Sequence, residues 1–474
     1  MNGSILNAGA QGRAGVPGRT QVLLALVLSG WAGSGAHGQQ LLEGRGKIAE
    51  YYGRPNQTQM SLFLEGSRVQ PLTKDQLLIT EPRLQTFSVR GETNLTAQAP
   101  QCIMDRRRGT ISSSGPIQAQ LAQGRFLISG DGFLLRQTNS DLTISNHVRT
   151  LLQPEMLARA SAEAGPGKGP VEILSRQFEY STNYGLAVWR GDVRLKGEQI
   201  AMNCEVLTAK LPSGQGGVQS VVAPSSGLPG PGRESSSSEG RLERITAEQH
   251  VSVDYAGFQA TGDAAVYTTE TDQLQLSGHP AWRAQSREGS ADELVVERTN
   301  QVLRATGHGM VKMPGQGLAR VGLHSHGGPE SMNAVSPPPG PASGERPPST
   351  LEVLSESYIL WTNLAEFRGP VQVSERVGAE VRGTMTCARL TAGFGQTNQL
   401  ERMMAEHDVA IRQEGTEFLA GKAVYEGAKG LMDLTEAPRW QSGLRRGSGD
   451  LIRLSTAPEG MLVVGHAVMR LPAE

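Results

Sequence analysis

Long apolar runs, cysteine, aromatic side chains and an excess of either charge are all scarce in this chain, and each scarcity excludes something. Lys and Arg number 45 against 46 Asp and Glu, and a near-neutral chain offers no basic stripe for nucleic acid. Three cysteines, Cys102, Cys204 and Cys387, are an odd count that in an exported chain raises a free thiol or an intermolecular bridge. Cys204 and Cys387 each stand upstream of a Leu-Thr-Ala, a repeated context that reads as a buried small hydrophobe on a strand. No Gly-x-Ser-x-Gly elbow, His-Glu-x-x-His or Cys-x-x-Cys is present, so the common hydrolase, zinc and redox signatures are missing. Asp263, Asp292 and Asp450 sit beside glycine or in turns, with no spacing that pairs two carboxylates. His308 and His466 follow glycine and read as surface-turn residues. The expectation is a chain that is not an enzyme, with no catalytic residues, no metal and no cofactor.

Apolar residues do concentrate near the start. Arg13 and Arg19 precede the apolar run Val22 to Leu28, and Ala36-His37-Gly38 places small residues before Gln39. Residues 1–38 are therefore expected to be a cleaved export signal. The run is well short of the ~20 residues that span a bilayer as a helix, and nothing later in the sequence is long enough either. The mature chain is expected in an extracytoplasmic space.

What the chain has in quantity is glycine, 59 residues against 5% aromatics, which suits many short strands and turns. It also has a repeat. Leu242 to Pro314 is written again at Leu400 to Pro472: Leu242-Glu243-Arg244 falls on Leu400-Glu401-Arg402, Ala265-Val266-Tyr267 on Ala423-Val424-Tyr425, Trp282 on Trp440, and Gly307-His308 on Gly465-His466. Trp282 and Trp440, each close after a proline, read as packing residues that plug the end of a unit. Alternation of apolar and polar residues survives between the copies, the period-2 signature of half-buried strands. Val251 and Val253 match Val409 and Ile411; Leu274 and Leu276 match Met432 and Leu434; Leu294 and Val296 match Ile452 and Leu454. Further upstream, Arg190-Gly191 with Val193 and Leu195 matches Arg368-Gly369 with Val371 and Val373. Turn signals at Ala256-Gly257, Ser277 to Pro280, Gly289-Ser290 and Thr299-Asn300 separate these strands.

In chain order, residues 47–153 form a first β unit, with strands expected at Ser61–Leu64, Leu77–Ile79, Phe87–Val89, Ile117–Leu121 and Phe126–Ile128. Residues 154–177 are a linker, briefly helical and then Gly/Pro-rich. A second unit covers 178–314 and contains a polar insertion at 212–241 that cannot pack a core. Residues 315–350, rich in Pro, Ser and Gly, link it to a third unit at 351–474. Arg106-Arg107-Arg108 reads as a solvated turn, with lipid phosphates as the sharper alternative.

The recurring order Ile245-Thr246-Ala247-Glu248, Val251-Ser252-Val253, Gly262 to Tyr267, Leu274 to Pro280 and Ala305 to Val311 resembles the OstA-like domain of lipopolysaccharide-transport proteins. That periplasmic bridge family includes LptA, LptC and the N-terminal domain of LptD. The close of the first unit, Leu142 to Thr150, is similar to the end of an LptC-like unit. The resemblance implies an all-β fold: tandem twisted β-jellyroll units joined by disordered linkers. It further implies that the units shield acyl chains in an apolar trough, pair edge to edge with other Lpt-type β-jellyroll proteins, and carry lipopolysaccharide or a related glycolipid towards the outer membrane through the periplasm. On that reading the groove is lined by Val193, Leu195, Val251, Val253, Leu274, Leu276, Leu294, Val296, Val371, Val409, Ile411, Met432, Leu434, Ile452 and Leu454. A dedicated bridge protein usually has one unit where this chain has about three, and the chain stops soon after the last repeat, which does not match a whole LptD-like translocon. A second class stays open, an exported structural or carbohydrate-active β-repeat such as a β-helix. Its coils would be roughly 20–30 residues, whereas this sequence repeats over more than a hundred.

Overall fold

The structure, a computed structural model, describes residues 46–153, 169–211, 242–315, 349–396, 399–456 and 459–471. The export segment, the helical stretch expected after Glu155, and the 212–241 insertion lie outside the described residues, as does most of the 315–350 linker. Every regular element among the described residues is a β-strand except one 3-10 turn, Ala122–Gly124. The described residues fall into two compact units, 46–153 with 170–190 and 210–211, and 191–209 with 242–471.

The first unit has two sheets. One runs through Gly46–Tyr51, Met60–Gly66, Arg83–Phe87 and Thr93–Gln98, then residues 116–121, 126–131 and 148–152, to Val171–Ser175. The other runs through Arg68–Pro71, Gln76–Thr80 and Gln101–Asp105, then 110–113, 133–136 and 141–146, to Gln177–Ser181 and 186–190. The long strands Thr110–Leu121, Phe126–Arg136 and Asp141–Leu152 belong to both sheets, crossing at irregularities between Ser113 and Pro116 and between Asn146 and Arg149. A bulge bends a strand sharply enough to turn such a corner. The strand expected at Phe87–Val89 is displaced: the ladder covers Arg83–Phe87. At Ser88 the hydroxyl accepts the amides of Arg90 and Glu92, and this local turn outcompetes the β preference of Val89.

In the second unit the same device is used on almost every strand. Residues 264–268 of Phe258–Thr268 pair with Gln273–Ser277, and residues 258–261 with Ala281–Ala284. Residues 302–306 of Val302–Gly315 pair with Glu293–Glu297, and 310–312 with Arg287–Ser290. The third repeat does likewise with Thr416–Glu426, Leu431–Thr435 and Arg439–Ser442. The second and third repeats are continuous, because Val302–Gly315 pairs along its length with Ser349–Leu360; Pro314, Gly315, Ser349 and Thr350, assigned to or beside the linker by sequence, are strand residues. Ser277 to Pro280 is a corner between sheets. Gly289-Ser290, expected as a turn, lies inside the strand Arg287–Ser290. Its glycine answers to packing: a Cβ on Gly289 would sit 2.7 Å from Trp282 Nε1, and one on Gly447 would sit 2.5 Å from Trp440 Nε1. The all-β, tandem jellyroll architecture expected from the sequence is the architecture of the protein.

Candidate functional site

Period-2 alternation places one residue in two on the inner face of each sheet, and antiparallel register then lines those residues up across strands. In the second unit one such row reads Ala247, Ala265, Leu276, Leu294, Ala305, Tyr358, Phe367, Leu390, Ala405, Ala423, Leu434, Ile452, Val463. The row beside it reads Ile245, Tyr267, Leu274, Val296, Leu303, Leu360, Ala365, Ala392, Met403, Tyr425, Met432, Leu454, Met461. The opposing sheet contributes Val253, Ala260, Trp282, Gly289, Val311, Val353, Val373, Met385, Ile411, Phe418, Trp440, Gly447, Met469. No charged side chain interrupts any of the three. At ~4.8 Å per strand each row extends on the order of 55 Å.

The residues singled out by sequence fall on these rows or beside them. Val193, Leu195, Val251, Val253, Leu274, Leu276, Leu294, Val371, Val409, Ile411, Met432, Leu434, Ile452 and Leu454 are buried; Val296 is half-buried, near the end of its strand. Burial persists until the last strands. Met461 and Val463 are only part-covered, and Met469 is 60% exposed. The inward rows thus keep their apolar character to a place where nothing within the described chain covers them.

Large side chains key the interior. Trp282 donates its indole N–H to the Tyr358 hydroxyl at 2.8 Å, and that hydroxyl donates to the Ser290 carbonyl at 3.2 Å, so the second repeat is pinned to the third by a fully buried polar contact. Burial of both tryptophans agrees with a packing role. Trp189 makes the corresponding bond to Thr150 Oγ1, 2.9 Å, in the first unit. Arg287 is buried with its guanidinium 4.2 Å from the centre of the Phe394 ring, and desolvation lowers its pKa.

The first unit carries one inward carboxylate. Glu50 is buried and accepts a hydrogen bond from Gln137 Nε2 at 2.9 Å. Desolvation raises its pKa, so folding favours the protonated acid. The stability Glu50 supplies is therefore fully present below the unfolded carboxyl pKa, and is lost as pH rises through the higher folded value. Glu50→Gln keeps an acceptor for Gln137 and removes the charge. We expect it to raise the urea midpoint at pH 7 and to leave it nearly unchanged at pH 4; equal gains at both pH values would contradict the buried-charge account.

Corners hold the feature that sequence reasoning missed. All six described histidines, His147, His250, His279, His308, His407 and His466, lie at positive φ between 38° and 64°. Asp and His tolerate that region better than most residues. Three of them face a carboxylate sixteen residues earlier: His147 and Asp131 at 3.0 Å, His308 and Asp292 at 2.8 Å, His466 and Asp450 at 2.8 Å. The Asp450 hydrogen bond holds His466 above the usual imidazole pKa. In the last two the intervening glycine, Gly307 or Gly465, has φ above 70° and passes its Cα under the carboxylate, so that a Cβ would lie 2.1 or 2.2 Å from Oδ2. Asp263, Gly278 and His279 follow the same spacing, with the Asp263 amide bonded to the Gly278 carbonyl. The signal was legible as Asp-x14-Gly-His. These exposed pairs clip corners and bring no nucleophile with them.

The three cysteines are buried and free. Burial pushes the Cys102 thiol up to about 12 and those of Cys204 and Cys387 up to about 11, so none supplies a thiolate at neutral pH. No group of three His, Cys, Asp or Glu that could hold a metal occurs among the described residues. Arg106-Arg107-Arg108 is an exposed turn, as expected, with the Arg108 amide on Asp105 Oδ1.

A two-sheet, all-β fold with long strands shared between the sheets and a mainly apolar interior defines the class of β-jellyroll proteins. Residues 172–302 match the model of the family described as LptA/(LptD N-terminal domain) LPS transport protein, which bears out the OstA-like resemblance. Among solved structures the chain is similar to LptH of Pseudomonas aeruginosa, described as the LptA homologous periplasmic component of the conserved lipopolysaccharide transport device. The two are 14% identical, over 30% of this chain and 84% of that one, with a TM-score of 0.23; an overlap this loose supports nothing further. No curated protein matches the chain by sequence.

Proposed function

We propose that this protein binds lipopolysaccharide or a related glycolipid in the periplasm and passes it towards the outer membrane, with acyl chains held between the two sheets. The observation that carries the reading is the set of three inward rows, apolar on every strand and buried along most of their length, with cover falling away at Met461, Val463 and Met469. Moving a lipid along such a path requires no nucleophile, metal or cofactor. It requires continuous burial of methylenes at ~0.8 kcal/mol each, which an uncharged row provides. The family match over 172–302 supports this reading over a β-helix.

Edge strands supply the partner reading. Among the described residues Glu459–Val464 pairs on one side only, with Leu451–Thr456, and Leu462 and Val464 are exposed. An unpaired edge of this kind recruits a further strand, here that of another Lpt-type jellyroll. We place the three functional units at 47–153, 178–314 and 351–474, and a cleaved signal at 1–38. Photo-crosslinking amino acids at Val253, Leu276, Ile411 and Leu434 in cells should capture glycolipid. Capture of neighbouring protein alone at all four would sink the carrier reading.

A further inference from the structure

The two copies of the repeat differ most informatively on one three-stranded patch. In the second repeat that patch is Ala281–Ala284, Arg287–Ser290 and residues 310–312. Its charges are matched: Glu288 takes Arg283 at 3.1 Å and Lys312 at 3.9 Å, and Arg287 is buried. In the third repeat the equivalent strands are Arg439–Ser442, Arg445–Ser448 and Val468–Arg470. Ala281 has become Arg439, Glu288 has become Arg446, and Lys312 has become Arg470 on the outward face, while Arg445, on the inward parity of the buried Arg287, is exposed beside them at the hairpin tip. Register sets Arg446 directly opposite Arg470. All four guanidiniums are exposed, and none has a carboxylate partner among the described residues. Like charges side by side on adjacent strands are unfavourable and favour an external anion beside them.

The same patch exposes apolar tips. Ser286, in the turn of the second-repeat hairpin, corresponds to Leu444, which is 81% exposed and directly precedes Arg445-Arg446; Leu471 beside Arg470 is 63% exposed. An acidic protein surface would match the arginines but would have to desolvate against a projecting leucine without a pocket for it. A lipid surface takes both: phosphates accept the guanidinium forks, and an exposed leucine enters the acyl boundary beside them. We infer that the hairpin Arg439–Ser448 with Arg470 docks this end of the protein onto a phosphate-bearing lipid surface.

The test is flotation of the full chain with phosphatidylcholine vesicles and with vesicles that also contain phosphatidylglycerol. Binding is expected only to the second, falling steeply with salt. Arg445→Gln with Arg446→Gln should weaken it about tenfold or more, at roughly 1 kcal/mol per basic residue near an anionic surface. Leu444→Ser should weaken it further, and Arg283→Gln, in the charge-matched patch, should leave it unchanged. Circular dichroism checks that the variants, all at exposed positions, retain the fold. No binding to anionic vesicles, undiminished binding by the double variant, or self-association in place of vesicle binding would each overturn the proposal.

Discussion

Gly278→Glu should destabilise the second repeat by about 3 kcal/mol or more, and Asp263→Gly in the same chain should restore most of that loss. Gly278 sits at φ 76° with the Asp263 side chain against its Cα; a Cβ there would lie 2.4 Å from both Asp263 Cβ and Oδ2. Strained backbone and steric overlap on this scale belong to the severe class of substitutions. The rescue is argued from the third repeat, where the same corner is built in reverse. Asp263 corresponds to Gly421 and Gly278 to Glu436. Glu436 has φ 64°, the Gly421 amide still reaches its carbonyl at 3.0 Å, and a Cβ on Gly421 would lie 2.5 Å from Glu436 Oε2. The corner thus demands one carboxylate and one residue without a Cβ, and either strand can supply either. Urea titration of the wild type, the two single variants and the double variant forms a cycle. A coupling energy near zero would show that the two sites are independent and that the reversal is coincidental.

That corner also shows where sequence reading stops. Parity alone located the interior: Leu276 and Leu434, or Val253 and Ile411, are named by alternation and by their match between copies, and adjacent strands then carry them into common rows. Parity works because a one-residue slip would turn every apolar side chain outward. It says nothing of a residue whose partner is on the next strand at a distance set by the strand and turn lengths. His308 and His466 were visible as repeated Gly-His pairs, but Asp292 and Asp450 became their partners only once the fold brought residues sixteen apart together. Gly289 misled for a related reason. Beside serine it looks like a turn, yet its role is to let the Trp282 indole lie across the strand, a demand made by a residue seven positions away. The Trp282–Tyr358 bond, 76 residues apart, was beyond any local pattern.

The remaining large effect concerns whether the interior is a packed core in the protein alone. Leu276 and Leu434 are 0% exposed and occupy matching places in the same row. Leu→Ala at either should lower stability by about 2–5 kcal/mol, the cost of lost burial plus an unfilled cavity; Val296→Ala, at a half-buried site, should cost less. A leucine that merely lined an open, hydrated groove would lose under about 1 kcal/mol, because water already touches it. If an acyl chain enters between these rows, the two sheets have to separate locally first, exchanging side-chain contacts for lipid contacts at similar density. If these rows carry glycolipid, the alanine variants should recover part of their lost urea midpoint when glycolipid is added, since methylenes can refill the vacated space at ~0.8 kcal/mol each. Recovery by the interior variants but not by an equally destabilised Gly278→Glu corner variant would tie the effect to filling of the rows. Recovery by none of them would leave Leu276 and Leu434 as core residues and count against the carrier reading for these rows.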